Sequence, residues 1–239
     1  MRNYKEQGIV LHTVKYGESS LVVYMLTRER GRMTYMVGGL GKGKGNKGAL
    51  LQPMFPVEFE GLETPKAEMH RLRDLRAAMT LRTVAFDARK SVIALFMAET
   101  LYRLVRETEP NAPLFDFLWE GVRALEAMER GTANFHLWFL VRLSAFLGFY
   151  PGNEYVDGGW FDIVEGLFVR RAPSHRLALA PQNAALLATM MVYPADELHT
   201  VALSGSRRSE FLSGMLAYFS YHLDQTDNIR SVQILREIF

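Results

Sequence analysis

The sequence predicts an α+β protein: a small closed β-barrel, then a mostly α-helical domain that carries a β-hairpin insert. Three features of its 239 residues predict this. Short runs rich in Val, Ile, Leu and aromatic residues fill roughly the first 75 positions, punctuated by Gly, Pro and charged turns. From about Thr80 the apolar spacing lengthens from two to three and four. Residues 155–180 interrupt that helical period with an alternating segment. The expected domains are 1–80 and 81–239, with the insert at about 153–180.

Residues 8–14 and 20–27 are rich in Val, Leu and Ile, with Tyr16-Gly17-Glu18-Ser19 as the turn between them. Glu29-Arg30-Gly31 turns the chain into residues 32–37, which alternate. Met33, Tyr35 and Val37 share one face, and Arg32, Thr34 and Met36 the other. Residues 50–60 form a fourth run, bent by Pro53 and Pro56. Proline lacks the N–H a central strand donates, so this run belongs at an edge or bulge. Residues 61–66 turn the chain and 69–75 make a fifth run. Five short strands suggest a barrel of the OB type; an SH3-like barrel or a three-on-two sandwich would give a similar pattern. Tyr24, Tyr35, Phe55 and Phe59 lie among these strands, where rings can stack on bases, although alternation gives Tyr35 to the core.

Residues 85–107 read as a long helix, apolar on most faces and therefore central. Pro113 sits near the next helix start, followed by Phe115, Leu118, Val122 and Leu125 at helical spacing. Residues 132–149 form a nearly all-apolar helix, stopped by Gly148 and Pro151. Trp119, Trp138, Phe139 and Phe146 fall at core spacing. Residues 160–169 read as a hairpin turning at Glu165-Gly166. Helices resume at 182–191, 206–223 and 229–238.

One stretch organises the functional reading. Between the third and fourth runs lies Gly38-Gly39-Leu40-Gly41-Lys42-Gly43-Lys44-Gly45-Asn46-Lys47-Gly48. Glycine this dense holds neither helix nor strand, because each residue carries a large entropy cost on ordering. A cationic loop of this kind suits a phosphate backbone. It satisfies G-x-G-x-x-G by letter, but Pro53 and Pro56 follow where a helix must start. It also satisfies G-x-x-x-x-G-K, with Gly45 where a magnesium-binding Ser or Thr is needed.

Charge supports the same reading. The first 80 residues hold 13 Lys/Arg and 8 Asp/Glu, an excess of five; the remaining 15 basic and 18 acidic residues leave a deficit of three. Such asymmetry points to a polyanion-binding module. Arg28, Arg30, Arg32, Lys42, Lys44 and Lys47 flank one hairpin and are expected to contact phosphates on one edge, and Arg71 and Arg73 share a strand face that extends the track.

Catalysis finds little support. The six histidines are scattered, with no H-E-x-x-H and no Gly-x-Ser-x-Gly. Asp162 and Glu165 read as a solvated hairpin tip. Cysteine is absent, which excludes disulfides and thiolate zinc sites. No run of about 18 apolar residues lacks charge, and the N-terminus has no signal-like apolar region. The expectation is a cytoplasmic, nucleoid-associated protein that is not an enzyme and needs no cofactor, metal or membrane.

Gly8-Ile9-Val10-Leu11-His12-Thr13, Tyr16-Gly17-Glu18-Ser19-Ser20-Leu21 and Leu26-Thr27-Arg28-Glu29-Arg30-Gly31-Arg32 together resemble the bacterial recombination protein RecO family. The resemblance continues through Gly38-Gly39-Leu40-Gly41-Lys42, Leu51-Gln52-Pro53-Met54-Phe55-Pro56 and Phe146-Leu147-Gly148-Phe149-Tyr150. It implies an OB barrel on a helical domain and a non-enzymatic recombination mediator. Such proteins bind single- and double-stranded DNA and anneal complementary strands. They engage the C-terminal tail of single-stranded-DNA-binding protein and work with RecR to load RecA. Many members carry four insert cysteines as a zinc site; this chain has none, so Trp160, Phe161, Leu167 and Phe168 must supply packing instead.

For the protein-tail site, the resemblance implies an apolar hole and a cation among the helices. Arg142 is the candidate cation, with Trp138 and His136 near the same helix start; an ion pair of Arg142 with Glu99 or Asp116 is the equal alternative. Two other functions stay open: an adaptor whose barrel binds proteins and not DNA, and a nucleic-acid enzyme, for which no carboxylates cluster.

Overall fold

The computed structural model describes residues 2–39, 47–63, 67–106, 108–152, 154–223 and 229–239. Strands β1 (Arg2–Tyr16), β2 (Ser20–Thr27), β3 (Gly31–Gly38), β4 (Pro56–Glu63) and β5 (His70–Ala77) close a barrel in the order β1-β2-β3-β5-β4. β3 and β5 run parallel, and the other neighbours are antiparallel. This is the OB arrangement. β1 starts earlier than the sequence suggests because its first half pairs with β4 and its second with β2. A register shift between Val10 and His12 bends it from one partner toward the other. Residues 50 and 51 fall in a 3-10 turn, Lys47–Leu51, and Pro56 opens β4, the strand position where its missing N–H is least costly.

Inside the barrel, Ile9, Val23, Met25, Tyr35, Val57 and Phe59 are buried. The Tyr35 hydroxyl meets that of Tyr4 at 3.0 Å. Burial, then this bond, holds the Tyr35 pKa far above the usual phenol range.

Helices α1 (Ala88–Leu104) and α2 (Ala112–Ala127) follow. Asp87 caps α1 by accepting the N–H groups of Arg89 and Lys90, which sets its start three residues later than the apolar period implies. The Glu126 carboxylate accepts the N–H groups of Arg82, Thr83 and Val84, tying the barrel's exit to the end of α2. Lys90, buried, donates to Thr83 Oγ1 at 2.7 Å and to the Glu126 carbonyl at 2.8 Å.

The chain divides into two compact units, Met1–Glu126 and Ala127–Phe239. α1 and nearly all of α2 fall in the first of these units. Side chains from the barrel hold these helices. At the β2–β3 turn, Gly31 has φ +64°, and an added Cβ would lie 2.4 Å from the Glu109 carbonyl oxygen. Only glycine fits that approach.

The second unit is built on α3 (Thr132–Phe146), with Phe135, Leu137, Phe139, Leu140, Val141 and Leu143 buried. Helices α4 (Pro181–Val192), α5 (Gly205–His222) and α6 (Ser231–Ile238) follow. Of the four expected core aromatics, Trp138 and Phe139 are buried, while Phe146, like Trp119 in the first unit, is only half-buried. No described helix is long and apolar enough to cross a membrane.

The insert comprises β6 (Trp160–Asp162), β7 (Leu167–Val169) and β8 (Ala178–Leu179), in the order β7-β6-β8. The hairpin turns at Glu165-Gly166 as its residues imply; β8, two residues long, leaves no period to read. Phe161 packs edge-on against Phe168 and Tyr218, with centroids 5.2 and 5.1 Å apart. Leu167 is exposed, so it adds little. Asp162 is not a solvated tip: it is buried, and its Oδ1 accepts the N–H groups of Val164 and Glu165 with His175 Nε2 at 3.3 Å. A short carboxylate satisfies the turn's own backbone donors, which the charge of the segment does not reveal. The residues do not fit zinc. There is no thiolate, and among the described residues no three His, Cys, Asp or Glu side chains converge.

Candidate nucleic-acid interface

β5 carries the cationic face. Arg71 and Arg73 are exposed on the same side of the strand, as alternation requires. The register slips between the pairs Glu60–Arg73 and Glu58–Arg76, leaving one extra residue on β5. Asp74, at φ +53°, occupies this bulge, and Arg76 is exposed beyond it. Arg73 pairs with Glu60 at 2.6 Å and Arg76 with Glu58 at 3.0 Å. Exposed pairs of this kind are worth at most about 1 kcal/mol, so a phosphate can displace the carboxylate. Arg71 sits opposite Leu62 on β4 and Met36 on β3, with no acid across either strand.

The glycine-lysine loop is anchored beside this strand at both ends. Gly38 lies two residues beyond the last β3–β5 pair, Met36–Arg71. The turn Lys47–Leu51, where the chain returns, packs against β5. Lys42 and Lys44, and the side chain of Lys47, lie outside the described residues.

Arg28, Arg30 and Arg32 do not join this edge. They lie at the β2–β3 turn, at the opposite end of β3 from Gly38, which for seven residue steps is about 23 Å. Flanking one hairpin in sequence means opposite ends of a strand in space. Arg28 pairs with Asp116 at 2.7 Å and stands 5.5 Å from the centre of the Phe115 ring. Arg30 stacks 3.8 Å over Tyr4. Arg32 donates to the carbonyls of Tyr102 at 2.8 Å and Val105 at 2.7 Å, closing the C-terminal end of α1, and lies 4.7 Å over the Tyr102 ring. Burial, partly offset by neighbouring tyrosines, lowers its pKa. Arg32→Ala will therefore lower stability by about 2–3 kcal/mol in denaturant melts while leaving the salt dependence of DNA binding unchanged.

The expected stacking platform is also spent on the fold. Tyr35, Phe55 and Phe59 are buried, and Tyr24 packs edge-on against Tyr102 at 5.1 Å.

In the second unit, Trp138 and Arg142, one turn apart on α3, come together. Trp138 Nε1 donates to the Tyr193 carbonyl at 2.9 Å and Arg142 to the Met191 carbonyl at 2.8 Å, so both hold the C-terminal end of α4. In the first unit, Glu99 pairs with Arg103 and Asp116 with Arg28. His136 faces elsewhere. It is buried and stacks on Phe239 with centroids 5.7 Å apart. Burial, then the positive charge of Arg208, pushes its pKa down to about 3.

A five-stranded closed barrel in the order β1-β2-β3-β5-β4, with a basic strand face and a lysine-bearing loop rooted beside it, places the first unit in the class of OB-barrel proteins. Comparison with known proteins agrees and narrows the class. The family model described as "Recombination protein O N terminal" matches residues 1–80, and "Recombination protein O C terminal" matches residues 85–230. The chain belongs to the RecO family. It is 37% identical over 237 residues to the "DNA repair protein RecO" of Phocaeicola vulgatus, covering 98% of each chain. It is 34% identical to the protein of that name from Bacteroides fragilis, and 30% identical to that from Porphyromonas gingivalis, again over 98% of each.

Proposed function

We propose that this protein is a DNA-repair and recombination mediator that binds single- and double-stranded DNA along the β3–β5 seam and anneals complementary strands. The observation that carries this reading is the placement of Arg71 and Arg73 beside both anchors of the lysine loop. Lys42, Lys44 and Lys47 add three charges to the two arginines. Contacts of this sort neutralise phosphates without reading bases. Two strands repel as they meet, and cations held between them lower that barrier. Arg28, paired with Asp116, and Arg30, stacked on Tyr4, lie at the far end of the barrel and take no part in this track; Arg32 belongs to the fold.

Family membership supports a place beside RecR and single-stranded-DNA-binding protein in loading RecA, with no small molecule turned over. For the acidic tail of the latter, Arg142 is the cation, with Tyr150 and Val192, both exposed, as neighbouring apolar surface; Tyr150 donates to the same Met191 carbonyl. Fluorescence anisotropy of labelled single-stranded DNA across a salt series tests the DNA reading. Affinity should fall with a log–log slope of about −3 or steeper, at 0.7 per phosphate contact. A flat slope with weak binding would favour the adaptor reading, which draws on the carboxylates of Glu58 and Glu60 beside Arg76 and Arg73.

A further inference from the structure

One cleft on the barrel is not basic. It holds about 560 Å³ between β1, β4, β5 and the β2–β3 turn. Glu6, Glu29, Glu58, Glu60 and Asp74 line it, against Lys5, Arg28 and Arg76. Arg28 is bound to Asp116 and stands 4.0 Å from Glu29, Arg76 is bound to Glu58 and Arg73 to Glu60, which leaves Glu6 and Asp74 in no ion pair among the described residues.

Glu6 makes this more than a cluster of acids. It is 5% exposed. Its Oε1 accepts the N–H groups of Gln7 at 3.0 Å and Glu29 at 3.4 Å, while Oε2 is buried and accepts no hydrogen bond. A carboxylate oxygen left this way is costly unless a donor arrives. Burial accordingly holds the Glu6 carboxyl above the usual range. The β5 bulge turns Asp74 into the same cleft, and bulges re-aim side chains at binding sites. Phe59, buried at the wall, offers apolar surface for an alkyl stem.

We propose that this cleft captures an arginine side chain from a basic segment of a partner protein, with Glu6 Oε2 and the carboxylates of Asp74 and Glu29 as acceptors. Several acceptors spread around one cleft match the five donors of a guanidinium better than a lysine's point charge. Guanidinium is also the more weakly hydrated cation, and so the easier one to bring against a buried oxygen. The volume exceeds one side chain and lies in the usual range for ligand sites, leaving room for flanking residues. DNA is repelled here, so the site works alongside the β3–β5 seam and does not depend on it.

The test is anisotropy of the fluorescein-labelled peptide Gly-Gly-Arg-Gly-Gly, with citrulline and lysine versions, on the full chain. The arginine peptide should bind at least tenfold more tightly than the citrulline peptide and more tightly than the lysine peptide. Glu6→Gln and, separately, Asp74→Asn should each weaken it about fivefold or more, while Glu154→Gln, outside the cleft, leaves it unchanged. Asp74 is exposed, so its variant keeps the test valid if Glu6→Gln fails to fold. Saturating single-stranded DNA should leave peptide affinity unaltered. Equal binding of the citrulline peptide, indifference to Asp74→Asn, or displacement by DNA would each overturn the assignment.

Discussion

Replacing Lys42, Lys44 and Lys47 with alanine will lower affinity for single-stranded DNA roughly 100-fold near 0.1 M salt and flatten the log–log salt slope by about 2. Each lost phosphate contact removes about 0.7 from that slope for single strands, and the affinity loss is the same quantity read at one concentration. The loop is rooted at Gly38 and at the turn Lys47–Leu51, both beside β5, so its charges add to Arg71 and Arg73. Adding Arg71→Ala and Arg73→Ala should steepen the loss. Loss of affinity with an unchanged slope would mean that the substitutions acted on folding. Unchanged affinity and slope would make the loop a spectator.

The second large effect is acid sensitivity set by His136. In the native state burial and Arg208 hold its pKa at about 3, against about 6.5 for a free imidazole. As pH falls below about 6.5 the unfolded chain takes up a proton that the native state refuses. Stability therefore drops by about 1.4 kcal/mol per pH unit, reaching about 3 kcal/mol at pH 4.5. The raised pKa of Glu6 acts with the opposite sign over the upper carboxylate range. His136→Phe keeps a ring on Phe239 and carries no titrating group. Denaturant melts at pH 7.5, 6 and 5 should show a steep loss for the wild type and a shallow one for the variant. Equal slopes would show that His136 takes up a proton in the folded protein.

Much of the fold was legible because it rests on short-range pattern. Alternation placed Tyr35 and Val37 in the barrel core, the turn at Glu165-Gly166 marked the insert, and Pro113 marked α2. What the pattern missed depends on contacts distant in sequence. The two-residue strand β8 owes its pairing to β6. Arg28, Gly31 and Arg32 reach α2, the loop after α1, and α1 across sequence separations that no local pattern spans.

For the candidate site, charge is legible in the sequence and position is not. Arg71 and Arg73 share the face that alternation assigns them. Arg28, Arg30 and Arg32 look like the same track in sequence, yet β3 carries them to the far end of the barrel. The local sequence carries no sign that the end of α1 arrives there to be closed by Arg32. Nor does it show that Glu6, one acid in an alternating strand, faces inward with an oxygen unmet. His136 and Arg142 differ for a related reason: six residues apart on α3, they face different neighbours, one Phe239 and the other the end of α4.

The most direct test of the central claim is the annealing rate of two complementary oligonucleotides, one carrying a fluorophore and the other a quencher. At low salt, without ATP or metal, the protein should accelerate annealing by at least tenfold, and the acceleration should fade as salt rises in step with DNA binding. The variant lacking Lys42, Lys44, Lys47, Arg71 and Arg73 should approach the protein-free rate. Annealing at the protein-free rate under conditions where the wild type has bound the DNA would contradict the account.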